Sequence, residues 1–81
     1  MNLSIGQRVR VKRDLDFYPH FQLKAGDEGV IVEVVSGDTL VWVCIDRHVE
    51  GCEEWDNEVA FREELRWDAD GYAANDVLEE V

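Results

Sequence analysis

Hydrophobic and polar residues alternate along the first part of the chain. Within residues 6–14, Val9 and Val11 fall on one face of an extended strand, and Arg8, Arg10 and Lys12 fall on the other. A period of two residues is typical of a strand with one buried face. The pattern therefore predicts a half-buried first strand with a row of basic side chains on its outer face.

Two runs rich in β-branched residues follow, at 29–35 and 39–46, and the sequence Ser-Gly-Asp joins them. Such runs, bounded by turn-forming residues, are typical of a β-hairpin. Gly26 and Gly29 flank the turn in front of it, where at least one residue is expected to have a positive φ, and Gly37 is expected to do the same between the strands.

The second run has apolar residues on both of its faces. Val41, Val43 and Ile45 share one face, whereas Leu40, Trp42 and Cys44 share the other. Because a single buried face needs apolar residues only at alternate positions, this pattern predicts that another part of the protein covers the face around Trp42.

The remaining segments have weaker patterns. Residues 15–24 contain three aromatic residues and the only proline without a regular period, which predicts a long, ordered loop. Residues 54–57 are expected to form one helical turn, followed by a short strand near Val59 and Phe61. Residues 63–81 are acidic with some helical character, and the pattern leaves open whether Trp67, Tyr72, Val77 and Leu78 dock around Trp42 or the last ten residues fray.

The order of these elements resembles that of an SH3-like barrel. Residues 5–11 resemble its first strand, 25–34 its glycine-flanked second strand and 41–46 its third. Similar barrels form a small subunit of photosystem I, the variable chain of ferredoxin–thioredoxin reductase and the β-subunit of nitrile hydratase, and segments 18–21 and 54–59 are similar to small uncharacterised bacterial proteins. The resemblance implies an all-β, SH3-like five-stranded barrel with a long first loop over residues 1–62. The acidic, partly helical C-terminal extension predicted over residues 63–81 has no counterpart in that pattern.

Length and charge narrow the classes of function. An 81-residue chain is expected to form one domain without a deep enzyme cleft, and it lacks the pattern of a signal peptide or a membrane span, so we expect a cytoplasmic protein. Residues 1–24 carry five basic and two acidic residues, a net charge of +3, whereas residues 25–81 carry three basic and 17 acidic residues, a net charge of −14. Strong acidity disfavours direct binding to nucleic acid and favours a basic protein partner.

Candidate chemical groups do not form a recognisable catalytic or metal-binding motif. Cys44, His48 and Cys52, with His20 as a fourth group, supply zinc-type ligands, but their spacing differs from that of common zinc knuckles, so no metal and no cofactor is expected. Neither histidine lies in a recognisable sequence arrangement with a Ser or Cys nucleophile and an Asp, which predicts that the protein is not an enzyme.

Aromatic and polar residues in two separate segments are the best candidates for a binding surface. Phe17, Phe21 and Trp55 are expected either to close the ends of the barrel or to contribute to this surface, because aromatic residues serve both purposes. The predicted partner-binding residues are Tyr18, His20, Trp55, Asp56, Asn57 and Glu58.

Two functions follow from these features. The first is a non-catalytic protein-binding module or accessory subunit that docks on a larger, basic protein. The alternative is an acidic nucleic-acid mimic that blocks a DNA- or RNA-binding protein, which predicts carboxylates arrayed along one face. An exposed strand edge or the apolar face around Trp42 also leaves a homodimer open.

Overall fold

The structure, a computed structural model, describes residues 3–17, 20–35, 40–62 and 72–81. About half of these residues lie in short strands. The elements are β1 (Arg8–Val11), β2 (Leu15–Phe17), β3 (Phe21–Leu23), β4 (Glu28–Val35), β5 (Leu40–Ile45), a 3-10 turn (Glu53–Trp55), β6 (Glu58–Arg62), α1 (Ala74–Val77) and β7 (Leu78–Glu80).

Five of the strands form an antiparallel sheet in the order β6-β5-β4-β1-β7, and β2 pairs with β3. The predicted first strand, the two β-branched strands and the short strand at Val59 and Phe61 are confirmed. Residues 15–17 and 21–23 differ from the prediction of a long, ordered loop, because they form the paired strands of the β2–β3 hairpin. The rings of Phe17 and Phe21 stack across this hairpin with centroids 4.7 Å apart, a cross-strand contact that favours pairing.

A β-bulge changes the faces of β4 halfway along the strand. Ile31 pairs with Val43, but Glu33 pairs with Trp42, so β4 has one extra residue at this point. Without the bulge, Glu33 would share the buried face of Ile31. With it, Glu33 is exposed and Val34 packs against the core instead.

The core lies on the inner face of the sheet and is apolar throughout. Alternate residues of β1, β5 and β6 contribute to it, as the two-residue period predicts for half-buried strands. None of the described polar or charged residues is buried. The largest fully buried side chains are Phe61, Leu15, Leu23, Ile31, Leu78, Val9, Val11, Val41, Val43, Val49, Val59 and Val77.

The C-terminal segment, residues 72–81, belongs to the same sheet and core. Its start lies against β6, where the Arg62 amide donates to the Tyr72 carbonyl at 3.1 Å and Arg62 pairs with Ala73 in a parallel bridge. Its end pairs with β1 as strand β7, and α1 between them buries Val77. Residues 72–81 therefore dock rather than fray, and they do so at both edges of the sheet rather than around Trp42. Trp67 lies outside the described residues.

Tyr72 joins this segment to the β2–β3 hairpin. Its ring lies edge-on to that of Phe17 with centroids 5.3 Å apart. Its hydroxyl accepts the Asp16 amide at 3.1 Å and donates to the Asp16 carbonyl at 3.3 Å. The hairpin is thus held at its base by the C-terminal segment.

Basic side chains of β1 and of the loop after β5 pair with carboxylates. Arg8 pairs with Asp46, and Arg10 Nε lies 3.0 Å from Glu79 Oε1. Arg47 donates two hydrogen bonds to Asp27, at 2.8 and 2.7 Å, and these hold the pKa of the Asp27 carboxyl below its ordinary value. The predicted basic row is therefore partly neutralised within the molecule.

Within the described residues, no helix has the length and hydropathy to span a membrane.

Candidate functional site: an aromatic cleft with an acidic rim

The candidate site lies on the outer face of β4, β5 and β6. Trp42 on β5 pairs with Glu33 on β4 and with Ala60 on β6, and paired residues of antiparallel strands project from the same face. Trp42 is therefore flanked by a carboxylate on one side and by a small methyl group on the other. Because Ala60 is small, it leaves space beside the indole of Trp42.

The 3-10 turn before β6 supplies a second indole to this face. Trp55 ends that turn and is 43% exposed, which is high for a large apolar side chain. A cleft of about 290 Å³ lies here, and we call it the tryptophan cleft. Its lining residues are Glu33, Trp42, Glu54, Trp55, Asp56 and Glu58.

A smaller apolar hollow of about 200 Å³ adjoins the cleft, and Trp42, Trp55 and Glu58 line both. Phe17 and Phe21 of the β2–β3 hairpin form its far side. Both are half-buried and pack against the core, and the Phe17 ring lies edge-on to Phe61 with centroids 6.1 Å apart. These two phenylalanines therefore close the core and border the hollow at once.

The structure brings together two of the predicted binding residues from distant segments. His20 and Trp55 meet edge-to-face, with ring centroids 5.9 Å apart and planes at 88°. Asp56 is exposed, and Glu58 is half-buried at the cleft wall. Tyr18 lies outside the described residues. The predicted surface and the tryptophan cleft therefore share Trp55, Asp56 and Glu58.

Asn57 has a structural role in the loop that carries the site. Its side-chain amide donates to the carbonyl oxygens of Ile45 and Arg47, at 2.6 and 2.5 Å, and its Oδ1 accepts the Val49 amide at 2.7 Å. Its φ of 65° lies in the left-handed region, which Asn tolerates better than most residues. Asn57 thus ties residues 45–49 to the start of β6 and fixes the turn that presents Trp55.

Replacing Asn57 with alanine is expected to lower the free energy of unfolding by about 3 kcal/mol, since three backbone groups lose their partner and the left-handed backbone becomes strained. Asn57→Gly loses the same hydrogen bonds without the strain and should cost about 1 kcal/mol less. Urea unfolding followed by tryptophan fluorescence measures both. Equal stability of wild type and Asn57→Ala would contradict the structural role.

A larger depression of about 590 Å³ lies between the β2–β3 hairpin and residues 47–51, and His20 lines it. Both charge signs line it, and its Arg47 is held by Asp27. Gly51 brings the two walls together, because a Cβ at this position would lie 2.0 Å from the His20 carbonyl oxygen. This depression is therefore part of the contact between hairpin and loop.

The cysteines and histidines do not assemble into a site among the described residues. No group of three or more His, Cys, Asp or Glu side chains there has the geometry to hold a metal ion, and both cysteines are free thiols. Cys52 is buried, its thiol donates to the Glu58 carbonyl at 3.3 Å, and burial raises its pKa. His48 forms an exposed pair with Glu53, with Nε2 and Oε1 3.3 Å apart.

Sequence reasoning did not place Trp42, Glu33 and Glu54 in the predicted binding surface. The alternation of β5 indicates that Trp42 points outward, but the apolar residues on both faces of this strand predict that another part of the protein covers the face around Trp42. Glu33 could not be assigned to that face, because the bulge that turns it outward has no sequence signal within a run of β-branched residues.

Comparisons of the chain with protein-family models, with curated proteins and with solved structures found no match.

Proposed function

We propose that this protein is a small, non-catalytic protein-binding module or accessory subunit that docks on a larger, basic protein through the tryptophan cleft. The observation that carries the proposal is the exposed Trp55 beside Trp42, in a cleft rimmed by acidic residues. Exposed Trp side chains are enriched at interface hot spots, because they combine a large apolar area with a hydrogen-bond donor.

The proposed fold of the module is an SH3-like barrel, and strand order supports it. The resemblance places a single helical turn before the last strand of the barrel. In the structure α1 directly precedes β7, and β7 pairs with β1 at one edge of the sheet β6-β5-β4-β1-β7, which is not closed among the described strands. On this proposal the C-terminal segment completes the barrel, rather than extending from a barrel that ends at Arg62.

Charge supports a basic partner. The four carboxylates of the cleft have no ion-pair partner within the described part of the chain, whereas Asp27, Asp46 and Glu79 elsewhere are paired with arginines. Unpaired carboxylates attract and orient a positively charged surface before contact. The rim is therefore available to such a partner.

The alternative function is the acidic nucleic-acid mimic. It requires a continuous negative face, and the paired arginines Arg8, Arg10 and Arg47 interrupt the negative surface of the described residues. The paired arginines instead favour a surface of mixed charge, with the acidic rim of the tryptophan cleft as one local negative site. A protein-binding module needs this arrangement.

The test is affinity capture from the native lysate with three tagged proteins: wild type, Trp55→Ala and Ile5→Ala. Ile5 is the matched control, since it is apolar and 69% exposed but does not line the cleft. We expect one protein to be retained by wild type and Ile5→Ala and reduced about tenfold or more on Trp55→Ala, as for an interface hot spot. Circular dichroism checks that each variant is folded.

Two outcomes would contradict the proposal of a protein-binding module. Equal retention by Trp55→Ala and wild type would show that the cleft is not the docking surface. Recovery of DNA- or RNA-binding proteins that are released by high salt or by added nucleic acid would favour the mimic, because such contacts depend on counterion release.

A further inference from the structure

We propose that the tryptophan cleft is a subsite for one arginine side chain of the partner, held between the indoles and the acidic rim. This inference rests on the proposed function and names the chemistry by which the partner is recognised. It commits to a guanidinium group as the occupant of this cleft, beside Trp42 and Trp55.

The aromatic part of the cleft suits a cation. A cation over the face of an aromatic ring is attracted by the negative charge density of the π system, and Trp gives the strongest attraction. Trp42 and Trp55 both line the cleft and the adjoining apolar hollow, and Ala60, the register partner of Trp42, lines the hollow with them. Two indoles in one small cleft supply apolar contact for the stem of a long basic side chain.

The acidic part of the cleft adds hydrogen-bond acceptors at the places where the charged end would lie. Glu33 on β4 is the register partner of Trp42. Glu58 lies two residues before Ala60 on β6 and therefore on the same face of the strand. Glu54 and Asp56 flank Trp55 in the sequence and are exposed. None of the described residues that line the cleft is basic, so the rim carries an uncompensated negative charge.

Arginine fits this combination better than lysine does. Its guanidinium is planar, stacks on aromatic faces and binds a carboxylate through two parallel hydrogen bonds. It also loses hydration more readily than an ammonium group when it enters a cleft bounded by indoles. Lysine would gain the attraction to the carboxylates but would forgo the stacking and the paired hydrogen bonds.

The probe is N-acetyl-arginine amide, titrated into the isotope-labelled protein while the indole N–H resonances are followed by NMR. Its matched controls are N-acetyl-lysine amide and N-acetyl-citrulline amide, the second of which keeps the shape of arginine without its charge. We expect saturable shifts of the Trp42 and Trp55 resonances with a Kd of about 1 mM, typical for a ligand of this size. Lysine should bind several-fold more weakly, and citrulline should cause no saturable shift.

Charge-removing variants locate the site. Glu33→Gln and Glu58→Gln keep the side-chain shape, and each is expected to weaken arginine binding about three- to tenfold, as for one partner of a partly exposed charged contact. Glu50→Gln is the control, because Glu50 is exposed but lies outside the cleft. Binding that is the same in all three variants would overturn the assignment.

The inference and the proposed function fail separately. If arginine and citrulline shift the indoles equally, or if neither does, the arginine subsite is wrong, even where Trp55→Ala abolishes capture of the partner. If arginine binds as expected but Trp55→Ala retains the partner fully, the subsite stands as a property of the cleft and the docking proposal is wrong.

Discussion

A chain that ends at Arg62 is expected not to fold. Residues 1–62 resemble a complete barrel in sequence, but in the structure residues 72–81 supply Ala73, Ala74, Val77 and Leu78 to the core. Truncating one buried Leu or Val side chain costs about 1–5 kcal/mol, and the whole stability of a small domain is about 5–15 kcal/mol. Removing four buried side chains together is therefore expected to remove most of the free energy of unfolding.

The backbone of β1 loses partners in the same truncation. The Lys12 amide donates to the Val77 carbonyl at 2.8 Å, the Arg8 carbonyl accepts the Val81 amide at 3.2 Å, and Arg10 pairs with Glu79. β1 would then become an unpaired edge beside an open core, which favours aggregation.

The measurement is the two-dimensional amide NMR spectrum of residues 1–62 compared with that of the full chain. We expect poorly dispersed signals from the short chain. Two point variants of the full chain serve as controls: Leu78→Ala should cost about 2–4 kcal/mol, and Val81→Ala, at a position that is 60% exposed, should cost less than about 0.5 kcal/mol. Dispersed signals and cooperative unfolding of residues 1–62 would instead establish an independent barrel with a separate extension.

Gly29→Ala is expected to lower the free energy of unfolding by about 3 kcal/mol or more, as for an atom forced into a filled interior. A Cβ on Gly29 would lie 2.4 Å from the Cys44 carbonyl oxygen and 2.9 Å from Val43 Cγ1. Because one of these atoms belongs to the backbone of the neighbouring strand, a side-chain rotation cannot relieve the contact. β4 and β5 would have to separate at the centre of the sheet.

Gly26→Ala is the matched control, since neighbouring atoms constrain Gly29 whereas the backbone conformation constrains Gly26. Gly26 has a φ of 93° but open space around an added Cβ, so the cost is the backbone strain alone, about 1–2 kcal/mol. Thermal or urea unfolding of both variants measures the difference. A larger loss for Gly26→Ala than for Gly29→Ala would contradict the packing that the structure gives to β4 and β5.

These two glycines also illustrate how far sequence reasoning extends. The pattern predicted that at least one of them needs a positive φ, and Gly26 confirms it. It gave no indication that Gly29 is required by the close approach of another strand, because that approach depends on the pairing of Gly29 with Ile45. Gly37, the third glycine of the prediction, lies outside the described residues.

Strands with a clear two-residue period were predictable, and elements that depend on distant partners were not. β7 has the sequence Leu-Glu-Glu, which carries too few residues to show a period, and it is a strand because β1 offers a free edge. The β2–β3 hairpin was missed for a similar reason, since each of its strands has three residues and the stacking of Phe17 on Phe21 decides the pairing.

The candidate site was partly predictable. Trp55, Asp56 and Glu58 were selected because aromatic and acidic residues adjoin in the sequence, and they do line the cleft. Asn57 was selected with them, although its side chain is engaged in three hydrogen bonds to the loop. Adjacency in the sequence cannot distinguish an Asn that faces a partner from one that hydrogen-bonds to the backbone, because Asn does the latter commonly in turns.

Site-specific photo-cross-linking tests docking through the cleft most directly. A benzophenone amino acid placed at Glu54, an exposed position on the cleft rim, is compared with the same group at Asn75, an exposed position on α1 outside the cleft. Docking through the cleft predicts one discrete adduct with a basic protein from position 54 and none from position 75. An adduct from position 75 without one from position 54 would contradict docking at the tryptophan cleft.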